Sequence, residues 1–137
     1  MKRLLILAIG SSLVLSAGAV AGKREEAARR AAAGWLIIVD GGRYGESWNE
    51  AAELFRRTVT RAQWEESLKK ARAPLGKMFS RKLRSATFLR SVPNGPPGEY
   101  VVVEYDTDFE HHAGAVERVT PMKDPDGTWR VAGYFIQ

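Results

Sequence analysis

Apolar residues change their rhythm twice along the chain. From Leu4 to Val20 they form a run interrupted only by Gly, Ser and Ala. From Ala28 they recur every third or fourth residue, as Ala28, Ala31, Ala32, Trp35, Leu36 and Val39, with Glu25, Arg29 and Arg30 off the stripe. This spacing turns one side of a helix inward and predicts a first helix to about Asp40. Gly41-Gly42 supplies the residue type that ends helices most readily. Ser47-Trp48-Asn49-Glu50 has the form of a capping box, in which hydroxyl and carboxylate satisfy two orphan amides reciprocally. It predicts a second helix with Trp48, Ala51, Ala52, Phe55 and Val59 inward. Thr60-Arg61-Ala62-Gln63 repeats the signature, and Trp64, Leu68 and Ala71 form the stripe of a third helix that Pro74 ends.

From Ser80 the period falls to two and turn-forming clusters set the boundaries. Strands are predicted at about Arg81 to Val92, Glu99 to Phe109, Ala115 to Met122 and Thr128 to Ile136. Pro93-Asn94-Gly95-Pro96-Pro97-Gly98 must be a loop, and Asp124-Pro125-Asp126-Gly127 a β-turn. Helices followed by a meander give an α+β fold, three helices packed on a four-stranded antiparallel sheet. Val101, Val103, Tyr105 and Phe109 share the face expected to meet the helices, opposite Glu104, Asp106 and Asp108. The fourth strand is ambiguous, because Trp129-Val131-Phe135 and Ala132-Tyr134-Ile136 both read as inner faces.

The first apolar run follows Lys2 and Arg3 and ends at Ala19-Val20-Ala21, the three-part pattern of a cleavable signal peptide over residues 1–21. One domain over residues 22–137 is then expected to work in the periplasm or as a secreted protein, with no transmembrane span after cleavage. The chain has no cysteine, which rules out a lipid-attachment cysteine, disulfides and a thiol nucleophile.

The residues assembled so far carry a resemblance. Trp35 to Asp40, Tyr44 with Ser47-Trp48, Val59-Thr60-Arg61 with Trp64, and Arg72 to Gly76 come first. Ser80 to Leu83, Gly98 to Val102, Val119 to Met122 and Gly127 to Ile136 follow in order. In order and spacing the chain resembles a bacterial exported family known only as the domain of unknown function numbered 4019. The resemblance implies no assigned reaction. It implies a shape similar to the nuclear-transport-factor-2-like and cystatin-like cones, and fold analogy transfers no function.

Candidate chemistry is sparse. Glu104, Asp106, Asp108, Glu110 and His112 alternate, so an extended strand would project all five from one face. Neighbours on that face stand about 6–7 Å apart, too far for a chelating set without a bulge. The plainer reading pairs the acids across the sheet with Lys82, Arg84 and Arg118, and no metal site is expected. His111 and His112 point opposite ways while the strand persists. The chain lacks the Gly-x-Ser-x-Gly elbow, the phosphate-loop glycines and His-Glu-x-x-His.

Charge is uneven. Residues 22–55 balance at −1, residues 56–90 carry 11 basic against 2 acidic side chains, and residues 91–137 balance at −5. The basic block 56–90 either meets an anionic surface or an acidic partner, or is neutralised internally by the acidic strands. Nucleic acid is not an expected partner of an exported chain. The favoured functional reading is a non-catalytic envelope module binding a small ligand or a protein, without cofactor. Its ligand-binding residues would be Trp35, Tyr44, Trp48, Tyr105 and Tyr134 in the concavity between layers. Two alternatives stay open: a small hydrolase or isomerase using Asp40 or a tyrosine, and a structural envelope protein held to anionic surfaces. Intact mass of the protein recovered from the exported fraction should correspond to a chain beginning at Gly22; a mass retaining residues 1–21 would refute the cleavage site.

Overall fold

The computed structural model describes residues 22–137, and the expected signal segment 1–21 lies outside the described residues. Four helices precede the sheet: α1 (Lys23–Asp40), α2 (Tyr44–Asn49), α3 (Glu53–Thr58) and α4 (Arg61–Arg72), the last continued by a 3₁₀ turn at Ala73–Leu75. Strands β1 (Met78–Leu89), β2 (Tyr100–Phe109), β3 (His112–Lys123) and β4 (Trp129–Ile136) then pair in sequence order, all antiparallel. No helix of the described residues is long and apolar enough to cross a membrane.

The α+β expectation holds, with one correction in the helical half. The second predicted helix is two short ones, broken at Glu50–Ala52. Ser47 is not a cap but lies inside α2, where its hydroxyl donates to the Tyr44 carbonyl at 2.6 Å. The same oxygen accepts from the Trp64 indole at 2.9 Å, and the Ser47 carbonyl accepts from the Trp35 indole at 2.9 Å. A single buried serine thus joins α1, α2 and α4, and tertiary hydrogen bonds outweigh the local signature. At Thr60 the signature is fulfilled: its hydroxyl accepts from the Gln63 amide while the Gln63 side chain accepts from the Thr60 amide.

Aromatic rings fill the space between layers. Phe55 meets Trp64 edge-on at 4.8 Å, and Trp35 meets Tyr134 edge-on at 5.2 Å. Trp64, Phe55, Leu36, Leu68, Val101 and Val103 are all at most 1% exposed. Truncating a buried ring of this size costs about 3–5 kcal/mol through lost transfer energy and the cavity left behind.

The ambiguity of the last strand has a physical cause. A register shift lies between Thr120 and Pro121, where β3 meets β4. Tyr134 and Ile136 face inward on one side of the irregularity, and Val131 is equally buried on the other. Both alternations are therefore right over part of the strand, as a bulge requires.

Thr60→Ala removes half of the fulfilled capping box, and should lower stability by about 1 kcal/mol. Urea unfolding checks this, and Ser47→Ala should cost more, because two buried hydrogen bonds of its hydroxyl are lost rather than one exposed cap.

Candidate functional site

Two places in the fold bring chemical groups together. The first is a polar cluster between sheet and helices, with Glu117 at its buried end and Asp40 partly exposed at the other. Glu117 on β3 alternates with Ala115 and Val119, so it points into the core and is fully buried. Its carboxyl oxygens accept from Arg81 Nε at 2.7 Å, from Arg81 Nη2 at 3.2 Å and from the Thr107 hydroxyl at 2.6 Å. Tyr134 donates its hydroxyl to the other side of the same group. Arg81 also reaches Asp40 at the end of α1, through Nη1 at 2.8 Å and Nη2 at 3.0 Å. Asp40 accepts in addition from Arg72 of α4 at 2.9 Å. Arg72 is 5% exposed, its guanidinium rests 4.9 Å above the Phe109 ring, and its Nε and Nη1 have no protein partner.

Electrostatics assigns these groups structural states. Burial by itself would raise the Asp40 pKa, but hydrogen bonds and charge from Arg81 and Arg72 outweigh it, and the value falls below the usual carboxylate range. Burial opposes the charge on Arg81, and its bonds to Asp40 and Glu117 prevail, so its pKa is raised. Tyr134 is pushed well above its ordinary value by burial first and by Glu117 second, which keeps it a donor. Burial raises Tyr105 to about 12. Asp40 is thus engaged by two guanidinium groups, and it is not a carboxyl raised toward neutrality.

The second place is a cleft of about 400 Å³ where α1 crosses β4. Ala31, Gly34, Trp35 and Ile38 of α1 line it together with Trp129 and Val131 of β4, and Arg30, Arg130 and Glu50 stand in its rim. Gly34 lies in the middle of an 18-residue helix, is exposed, and a Cβ built on it would meet nothing within 4 Å.

The five aromatic residues expected to line a ligand site divide between these places and the core. Trp35 is 3% exposed and lines the cleft with its Nε1 committed to Ser47. Tyr105 and Tyr134 belong to the polar cluster. Tyr44 and Trp48 pack half-buried against the core, Trp48 donating to the Val59 carbonyl at 2.8 Å. Trp129 is half-buried, packed against the core and part of the cleft wall. Glu117, Thr107 and Arg72 had no place among the candidates. A glutamate at an inward strand position, between Ala115 and Val119, is the one signal that marks Glu117; its partner Arg81 lies 36 residues earlier in the chain.

On the sheet face away from the helices the acidic row pairs as charge alternation suggested. Glu104 bonds Arg118 at 2.9 Å, Asp106 bonds Arg84 at 2.7 Å, and Asp108 accepts from Ser80 at 3.4 Å. The row ends with β2 at Phe109, and Glu110 turns back to the Lys77 amide at 3.2 Å. The basic block is partly neutralised within the fold: Arg72 and Arg81 point inward, while Arg57 and Lys70 pair with acids one helical turn away.

A model of the family described as protein of unknown function (DUF4019) matches residues 31–134. The chain belongs to this family. The matched stretch runs from Ala31 of the cleft to Tyr134, so the polar cluster lies inside it, as does the cleft apart from Arg30. No curated protein and no solved structure matches the chain.

The lowered Asp40 pKa fixes a sign for acid unfolding. A group depressed in the fold contributes stability that is complete above its ordinary value of 3.8 and is lost as pH falls through the lowered one. Urea unfolding from about pH 5 to pH 2 should therefore lose stability less steeply in Asp40→Asn than in the parent. Equal slopes would mean the two guanidinium groups do not hold Asp40 ionised. Arg81→Met, which strands Glu117 without its cation, should cost about 3–5 kcal/mol in the same measurement at neutral pH.

Proposed function

We propose that this family member is a non-catalytic module of the cell envelope, exported to the periplasm or the medium, that takes up a small apolar or aromatic molecule in the cleft between α1 and β4. The observation that carries this reading is Gly34. A glycine inside a helix costs about 1 kcal/mol relative to alanine, and nothing at this position requires one, since the space beside its Cα is empty. What the missing side chain supports is an open cleft floor beside Trp35 and Trp129. Aromatic walls with a few charged groups at the rim are the usual make-up of small-molecule sites. Export is supported by the three-part pattern of residues 1–21.

The alternative hydrolase or isomerase reading needs an acid whose pKa is raised toward the working pH. Asp40 moves the other way, which weighs against it as a general base. The cluster around Glu117 has its donors and acceptors turned on one another rather than toward a ligand.

The test uses an anilinonaphthalene sulfonate dye, whose fluorescence rises in apolar surroundings. Gly34→Ala should raise unfolding stability by about 0.5–1 kcal/mol while dye binding persists. Gly34→Leu should keep the fold and weaken dye binding at least tenfold, because its side chain occupies the cleft. Undiminished binding to the leucine variant would refute the site.

A further inference from the structure

The described residues expose three large apolar side chains, Ile37 at 64%, Phe79 at 66% and Leu83 at 46%, and two of them, Phe79 and Leu83, stand on one strand, β1. Single exposed apolar residues are ordinary on any protein surface; their gathering at one place is not. Ile37 lies one turn before Asp40 on α1, and Asp40 holds Arg81 of β1. Leu83 shares the helix-side face of β1 with Arg81, as their pairing with Tyr105 and Thr107 requires. Phe79 stands two residues earlier, at the register shift between Met78 and Ser80. Phe79 and Leu83 therefore mark β1, a 12-residue strand that among the described residues pairs only with β2 and forms one end of the sheet.

An edge strand presents unpaired backbone donors and acceptors, and proteins usually blunt such edges with charge. Residues 77–90 carry five basic side chains, Lys77, Arg81, Lys82, Arg84 and Arg90, and no acidic one. Two of them face away from the helices near the middle of the strand: Arg84 bonds Asp106, and Lys82 has no ion pair among the described residues. Charge alone would protect the edge, but exposed Phe79 and Leu83 undo that protection on the other face. The same pattern argues against a second copy as occupant. Antiparallel self-pairing centred on Leu83 sets Lys82 opposite Arg84, and like charges directly opposed are destabilising.

We infer that β1 is a docking edge for an extended acidic segment of a partner protein, added to the sheet as a fifth strand. Its residues alternate, with carboxylates on the side of Lys82 and Arg84 and apolar side chains on the side of Leu83. Backbone pairing supplies affinity in this mode of recognition and the alternating side chains supply selectivity. The site is separate from the α1–β4 cleft, so either stands without the other.

The probes are two synthetic ten-residue peptides, one alternating glutamate with valine and one alternating lysine with valine. Amide hydrogen exchange and NMR shift mapping on the mature protein should show β1 amides protected by the glutamate peptide and untouched by the lysine peptide. Binding should weaken roughly tenfold when salt rises from low to physiological ionic strength or above. Lys82→Glu combined with Arg84→Gln should abolish it, with folding checked by the melting temperature. Should that variant fail to fold, the salt titration of the parent decides alone. Protection outside β1, equal binding of both peptides, or β1 protection that appears only on self-association would each overturn the proposal.

Discussion

Glu117 brings a carboxyl group into the space between the sheet and the helices, where water cannot reach it. Removing such a group from water costs several kcal/mol after relaxation, and the cost is met only when its oxygens are filled by donors in good geometry. Arg81 fills two of those bonds, Thr107 and Tyr134 the rest. Arg81 is then itself a buried cation with donors left over, and Asp40 takes them. Asp40 in turn anchors Arg72. One inward glutamate thus sets the relative placement of β1, β3, α1 and α4. Apolar contacts between those layers tolerate sliding; this chain of directed bonds does not.

The arrangement also separates two kinds of surface. Between the end of α1 and the sheet the ionisable groups pair with each other, two nitrogens of Arg72 excepted. At the flanks of the same helix, the β4 side carries a gap lined by tryptophans, and the β1 side carries a strand margin with Phe79 and Leu83 exposed. A rigid middle with two unfinished flanks is what a scaffold for recognition needs, since the binding groups are held by elements rather than by loops.

Much of the architecture was readable along the chain because its causes are local. The box at Thr60 and Gln63 is settled within four residues, and so is the proline stop at Pro74. The turns at Pro93–Gly98 and Asp124–Gly127 bound strands whose alternation needs no distant partner. Where the reading failed, the deciding contact was far away. Ser47 looks like a cap until Trp64, 17 residues later, claims its hydroxyl. The inner face of β4 reads both ways because a bulge against β3 shifts the register, which the sequence of β4 does not record. The polar cluster needed Asp40, Arg72, Arg81 and Glu117 to be brought together from four elements; only the inward phase of Glu117 marks it beforehand. The cleft left one legible trace, a glycine where helix propensity wants an alanine.

The sheet is joined strand to next strand throughout, in the order β1-β2-β3-β4. Closing the hairpins involves loops of ten, two and five residues, whose entropic cost grows only slowly with length, and each strand pairs with its sequence neighbour. The helical half gains little from its own short pieces, because α2 and α3 span six residues each, well below the length at which an isolated helix persists in water. The two helices that frame the polar cluster are the long ones, α1 with 18 residues and α4 with 12. The Asp40–Arg81 pair, 41 residues apart in the chain, is the least local bond of that cluster: it is the seam at which the helical half and the meander become one body.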